Sequence, residues 1–133
     1  MSARRLRAVH LAIALAVFVV EVLIATTFRH VVFVRASLGD FLVVVLLYHL
    51  VKAVTLARPR RLAVGVFLFA CLVEAIQWWH PADLLGLRPG SPLAIVMGNS
   101  FSWADILMYF LGCLTAWQID ARLLSGRAAA IAP

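Results

Sequence analysis

Residues 62–79, LAVGVFLFACLVEAIQWW, restrict the fold of this chain more than any other stretch. They are long and apolar enough to span a bilayer as a helix. Yet they carry a carboxylate, Glu74, and an amide three residues later, Gln77. On a helix those side chains sit about 60° apart and share one face. A charge on a spanning helix costs roughly 2.5–3.5 kcal/mol near the centre and less towards an interface. Glu74 lies about one turn before Trp78 and Trp79, so its cost is smaller, but it still needs a partner. Gln77 is the simplest hydrogen-bonding partner on its own helix.

The rest of the chain supports a membrane setting. Of 133 residues, 65% are hydrophobic and 14% are charged. The mean hydropathy is +1.02. A soluble domain is typically about 45–50% apolar. Lipid must therefore be the solvent for much of this surface, and the length allows one compact bundle with no second domain. The net charge of +6 does not point to nucleic acid. Its basic residues form short clusters flanking apolar runs, a topogenic pattern rather than a phosphate-binding stripe. Cys71 and Cys113 lie inside apolar runs without CxxC spacing and read as small buried hydrophobes.

Four apolar segments follow in order. A basic tail, 1–7, precedes the first, 8–27. This segment exceeds the usual h-region of about 7–15 residues and lacks a small-x-small site, so it reads as a retained helix. The second covers 40–57 and contains Tyr48, His49 and Lys52. A basic turn with Pro59 makes the second and third segments antiparallel neighbours. After 62–79 comes a Pro- and Gly-rich loop, 80–99, too apolar to be freely solvated. The fourth segment covers 102–119, within a membrane domain of 8–121. The remainder, 122–133, reads as a frayed tail.

The expected fold is thus an all-α membrane protein with four transmembrane helices in a compact bundle. Arg4, Arg5, Arg7, Arg58, Arg60, Arg61, Arg122 and Arg127 flank one side, against Arg29, Arg35 and Arg88 on the other. By the positive-inside rule both termini are cytoplasmic and the 80–99 loop is external. The expected location is a bacterial inner (plasma) membrane.

That topology gathers acids. Glu21, Asp40, Glu74 and Asp105 come from four helices and share the external third of the bundle. Each also has a structural reading. Asp105 follows Ser102 at capping-box spacing. Asp40 can cap its helix or pair with Arg35. Glu21 has Val17, Phe18, Ile24 and Ala25 around it on its own helix, so any partner comes from elsewhere. Asp105, Tyr109 and Gly112 fall on one helical face, where Gly112 admits a close neighbour and Tyr109 brings a hydroxyl towards the acids. Trp78, Trp79 and Trp103 read as an interfacial belt, as do His30 and His80. His49 lies deep without a second histidine at helical spacing, so no metal is expected. No cofactor is indicated, and a serine-nucleophile motif, a phosphate loop and an HExxH motif are all missing.

Three groups of residues carry a family resemblance. They are Gly39-Asp40 before an apolar run with Tyr48, then Glu74-x-x-Gln77, then Gly98-x-x-Phe101-Ser102-Trp103-x-Asp105-x-x-x-Tyr109-x-x-Gly112. On these the chain resembles a family of small bacterial inner-membrane proteins of unknown function. It is more distantly similar to the VanZ-like proteins, through the glutamate–glutamine pair and the later aspartate. That likeness implies a cell-envelope role; glycopeptide resistance is not carried over with it.

Three functions fit the residues. An outward-facing acidic site of Glu21, Asp40, Glu74, Gln77, Asp105 and Tyr109 suits a cationic or hydroxyl-rich lipid or envelope head group, bound or transported. A small subunit of a larger membrane complex would use the same acids to bridge helices, whereas a transporter of this size would need to form a homo-oligomer, because four helices enclose little volume. An intramembrane enzyme would use two of them as acid and base, although no catalytic residue is assigned.

Overall fold

In the computed structural model, residues 2–98 and 100–125 are described. All regular structure in them is helical. Four long helices, α1 (Ala3–Thr26), α2 (Gly39–Thr55), α3 (Pro59–Gln77) and α6 (Trp103–Gln118), run alternately up and down. Two short helices, α4 (Pro81–Leu84) and α5 (Pro92–Met97), lie between α3 and α6. α2 and α6 form the centre. α1 packs mainly on α2, while α3 packs on α6 and, less extensively, on α2.

Several boundaries differ from the sequence reading, each for a local reason. The basic start is not a tail. α1 begins at Ala3 because the Ser2 hydroxyl accepts the Arg5 N–H at 3.3 Å, an N-cap. The connection before α2 is largely helical, with a π-helical stretch Val34–Leu38 running into Gly39. α2 ends earlier than 57, at Thr55, where Leu56 takes a left-handed conformation and its N–H bonds the Lys52 carbonyl at 2.9 Å. Pro59 opens α3, at the helical position where a missing N–H costs nothing. The last helix neither ends at 119 nor frays from 122; a π-helical stretch, Ile119–Ser125, continues it. The rest of the expected tail, 126–133 with Arg127, lies outside the described residues.

Two helices, Ala3–Thr26 and Val34–Thr55, are long and apolar enough to cross a membrane. α3 carries Arg60, Arg61 and Glu74, and α6 has only 16 residues before its π-helical extension. The outward faces are apolar in all four. Leu15 and Phe18 on α1, Val54 on α2, Leu68 and Leu72 on α3, and Leu107 and Phe110 on α6 are exposed.

The buried faces follow helical spacing. On α3, Leu62, Val66, Ala70 and Glu74 form one stripe at every fourth residue. On α6 the stripe is Tyr109, Gly112, Cys113 and Ala116. Val44, Val45 and Tyr48 of α2 fill the space between them. At Gly112 α2 comes very close. A Cβ there would lie 2.5 Å from the Phe41 carbonyl oxygen and would overlap Val44 Cγ2. The close approach expected at Gly112 is therefore present, and α2 is the neighbour it admits.

Candidate functional site

The bundle holds polar side chains at both ends. The loop end carries α4 and α5. The terminal end holds the start of α1 and the end of α6.

At the loop end, Glu74 is fully buried. Its Oε1 accepts the Ser102 backbone N–H at 2.7 Å and its Oε2 accepts the Tyr109 hydroxyl at 3.2 Å. The partner is therefore not Gln77. That amide packs against Gly98, where a Cβ would fall 2.9 Å from Gln77 Cδ. Gly98 has φ +67°, so the chain turns there in a conformation that favours glycine. The turn brings Ser102 over the end of α3 and lets its amide reach Glu74.

This arrangement changes the role of Asp105. Ser102 Oγ accepts the Asp105 N–H at 3.4 Å, which is one half of a capping box. In the other half, the acid would reach back to the Ser102 N–H. Glu74 already occupies that N–H. The Asp105 carboxyl is left to face Asp40 and Glu74. Asp40, at the start of α2, completes the group, and the Tyr109 hydroxyl has all three carboxyls around it. Asp40 and Asp105 are half-buried. They form the open side of a layer whose floor is Glu74.

Of the six side chains singled out from the sequence, the structure joins four: Asp40, Glu74, Asp105 and Tyr109. Gln77 is a packing neighbour of the loop. Glu21 is half-buried on α1, and its surroundings involve burial rather than another acid. The reason is the architecture: α1 packs on α2 and stands apart from α3 and α6. The Arg35–Asp40 pair also does not form; among the described residues the ion pairs all involve Asp120. Trp78, Trp79 and Trp103 are exposed around this end, and Phe101 joins Trp78 to Trp103 edge to face, with centroids 5.8 and 5.1 Å away. Two apolar grooves, one lined by Phe67, Phe110, Cys113 and Trp117 and the other by Leu47, Val51 and Phe69, contain none of the acids.

The terminal end holds a second cluster that the sequence reading missed. His10, Tyr48, His49, Lys52 and Asp120 are all buried, none more than 2% exposed. Asp120 Oδ2 accepts the Tyr48 hydroxyl at 2.6 Å and lies 3.0 Å from Lys52 Nζ. Lys52 also donates to the Ala57 carbonyl at 2.6 Å. His10 and His49 meet through their Nδ1 atoms at 2.7 Å, and His10 Nε2 stands 3.5 Å from Asp120 Oδ1. A signal for this cluster was present. Continuing the Asp105–Tyr109–Gly112 face by two further steps of four reaches Ala116 and Asp120, and Tyr48 and Lys52 are four apart on α2. No sequence spacing links His10 to His49, because they lie on different helices. Among the described residues, no group of three or more His, Cys, Asp or Glu side chains could hold a metal ion.

Comparison with curated proteins and with solved structures returned no match. A family model does match residues 29–113, the stretch from the α1–α2 connection to Cys113 of α6. It contains Asp40, Glu74, Asp105 and Tyr109 and leaves out His10 and Asp120. The chain belongs to the family described as protein of unknown function (DUF2809).

Proposed function

We propose that this chain is a multi-pass protein of the bacterial inner membrane whose external face binds a cationic or hydroxyl-bearing lipid or envelope head group. In this reading α1, α2, α3 and α6 all span, both termini are cytoplasmic, and Asp40, Glu74, Asp105 and Tyr109 form the site. One observation carries it. Three carboxyls from three helices face one another, and among the described residues no Lys or Arg lies within ion-pair distance of them. Carboxylates grouped in a low dielectric attract a cation or a set of hydroxyl donors. Glu74 is held by two internal donors, and Asp40 and Asp105 hydrogen-bond each other, so the acceptor capacity left over belongs to the outer oxygens of that pair. The exposed apolar faces of α3 and α6 and the tryptophans around the loop end support four spans. The envelope role implied by the VanZ-like resemblance agrees with an outward-facing site.

A second reading, a subunit of a larger membrane complex or a homo-oligomer, draws on α5. Its Leu93, Ile95 and Val96 are exposed in a loop that is not itself a span. An acid/base enzyme draws on the same carboxyls as the binding reading and has no further group in its favour.

Two measurements test the proposal. Reporters fused at either terminus should read cytoplasmic, and one inserted near Gly90 should read external. An external C-terminus would break the four-span topology. Native mass spectrometry of the detergent-solubilised protein should find bound lipid that is lost in Asp105→Asn. A stoichiometric protein partner, with lipid unchanged in that variant, would favour the subunit.

A further inference from the structure

The buried cluster at the terminal end has a definite proton count. Nδ1 atoms 2.7 Å apart must share one proton, with one ring donating and the other accepting. Suppose His49 donates. His10 then carries its own proton on Nε2, which makes no hydrogen bond but stands at ion-pair distance, 3.5 Å, from Asp120 Oδ1, and every ring is neutral. Suppose instead that His10 donates while neutral. Its Nε2 would then present a bare lone pair to a carboxylate oxygen, which is repulsive. The neutral pair therefore has His49 as donor, and this leaves one open acceptor, His49 Nε2. That atom is buried and, like His10 Nε2, has no hydrogen-bond partner among the described residues; what separates the two is that only His10 Nε2 faces a carboxylate.

One more proton fits without breaking the 2.7 Å contact. A hydronium-derived proton bonds to the His49 Nε2 lone pair and leaves water behind. The shared proton crosses from His49 Nδ1 to His10 Nδ1. His10 is then the imidazolium, paired with the Asp120 carboxylate, and His49 is neutral again with its proton on Nε2. A second extra proton would place hydrogens on both Nδ1 atoms and force the rings apart. We propose that His10 and His49, backed by Asp120, form a binding site for a single proton at the end of the bundle opposite the carboxyl layer. The two sites share α2, on which Asp40 and His49 are about 13 Å apart.

The groups facing the pair come from every packed element. Asp120 from the last helix attracts the added proton. Lys52 from α2 opposes it and competes for Asp120. Tyr48 holds Asp120 and also reaches the Pro59 carbonyl of α3 at 3.4 Å. His10 is the contribution of α1. The site does not depend on the head-group reading above.

Nitrogen-15 spectra of the histidine-labelled full chain in lipid nanodiscs test it, from about pH 5 to about pH 8. His30→Gln and His80→Gln assign the two exposed rings. At the alkaline end we expect one ring, His49, as the uncommon Nδ1–H tautomer and His10 as Nε2–H. On acidification both should change in one shared step that takes up one proton, with His49 passing to Nε2–H. His49→Gln should abolish the shared step. Two Nε2–H rings throughout, two independent titrations, or no change over this range would each overturn the proposal. The tautomers are read on the unmodified chain, so a variant that fails to fold does not remove the test.

Discussion

At the terminal end, Asp120 is buried and is met by Lys52 at 3.0 Å and Tyr48 at 2.6 Å. At the loop end, Asp40, Glu74 and Asp105 face one another with no described cation within ion-pair distance, and two of the three are partly open. The same bundle thus neutralises one polar cluster internally and leaves the other, whose carboxyls bond only a backbone amide, a tyrosine and one another, without a cation among the described residues. Depth alone does not explain this, since Glu74 is buried as completely as Asp120. The neighbours do. α2 places Lys52 beside Asp120, whereas among the described residues no Lys or Arg lies within ion-pair distance of Asp40 or Asp105. A closed cluster holds helices together. An open one should cost little to alter.

The largest effect should come from opening the closed end. Lys52→Met keeps the volume but strands the Asp120 carboxylate inside the bundle. Removing one partner of a buried ion pair typically costs about 3–5 kcal/mol. Equilibrium unfolding in detergent should show a loss of that order. A loss under about 1 kcal/mol would mean that Lys52 is not what compensates Asp120.

A matched pair of tyrosine changes sharpens the comparison. Tyr48→Phe removes a 2.6 Å bond to Asp120, and Tyr109→Phe removes a 3.2 Å bond to Glu74. Hydrogen bonds to charged groups contribute about 1.5–3 kcal/mol. Tyr48→Phe should fall in that range. Tyr109→Phe should cost about 1 kcal/mol, because Glu74 keeps the Ser102 amide at 2.7 Å. The reverse order in the same unfolding assay would show that the loop end is the more tightly constructed of the two.

The two ends were unequally legible in the sequence. Acids interrupt apolar runs near three helix ends, and counting spans puts Asp40, Glu74 and Asp105 at one level without any coordinates. Capping-box spacing tied Asp105 to Ser102. It did not say that Glu74 would take the Ser102 amide, because that depends on how the loop turns at Gly98. Gln77 was the wrong partner for the same reason: sharing a face of α3 does not decide which side chain the returning chain reaches first. Glu21 was placed with the other acids by depth alone, and depth carries no information on which helices touch. The terminal cluster was hidden by element boundaries. With the fourth segment ending at 119, Asp120 fell just past its last helical residue, although helical spacing from Asp105 puts it on the buried face. His10 and His49 are on different helices, so only packing of α1 on α2 could join them.

The smallest expected change in stability tests the open end directly. Asp40→Asn keeps the shape of the side chain and removes a negative charge from a group of three. Like charges in a shared site oppose one another, so their repulsion is relieved. In the absence of ligand the unfolding free energy should change by less than about 0.5 kcal/mol, or rise slightly. The difference should appear when a cation is added. A solute that binds the native state stabilises it according to its occupancy. A quaternary ammonium ion such as choline should therefore raise the unfolding midpoint of the unmodified protein in a concentration-dependent way. In Asp40→Asn that rise should be reduced or absent, and in Lys52→Met, where it persists against a lower baseline, it should be retained. If Asp40→Asn instead loses several kcal/mol without ligand, as Lys52→Met is expected to, the carboxyl layer is a closed structural bridge like the cluster around Asp120. The contrast between the ends would then disappear, and the subunit reading would replace the head-group site.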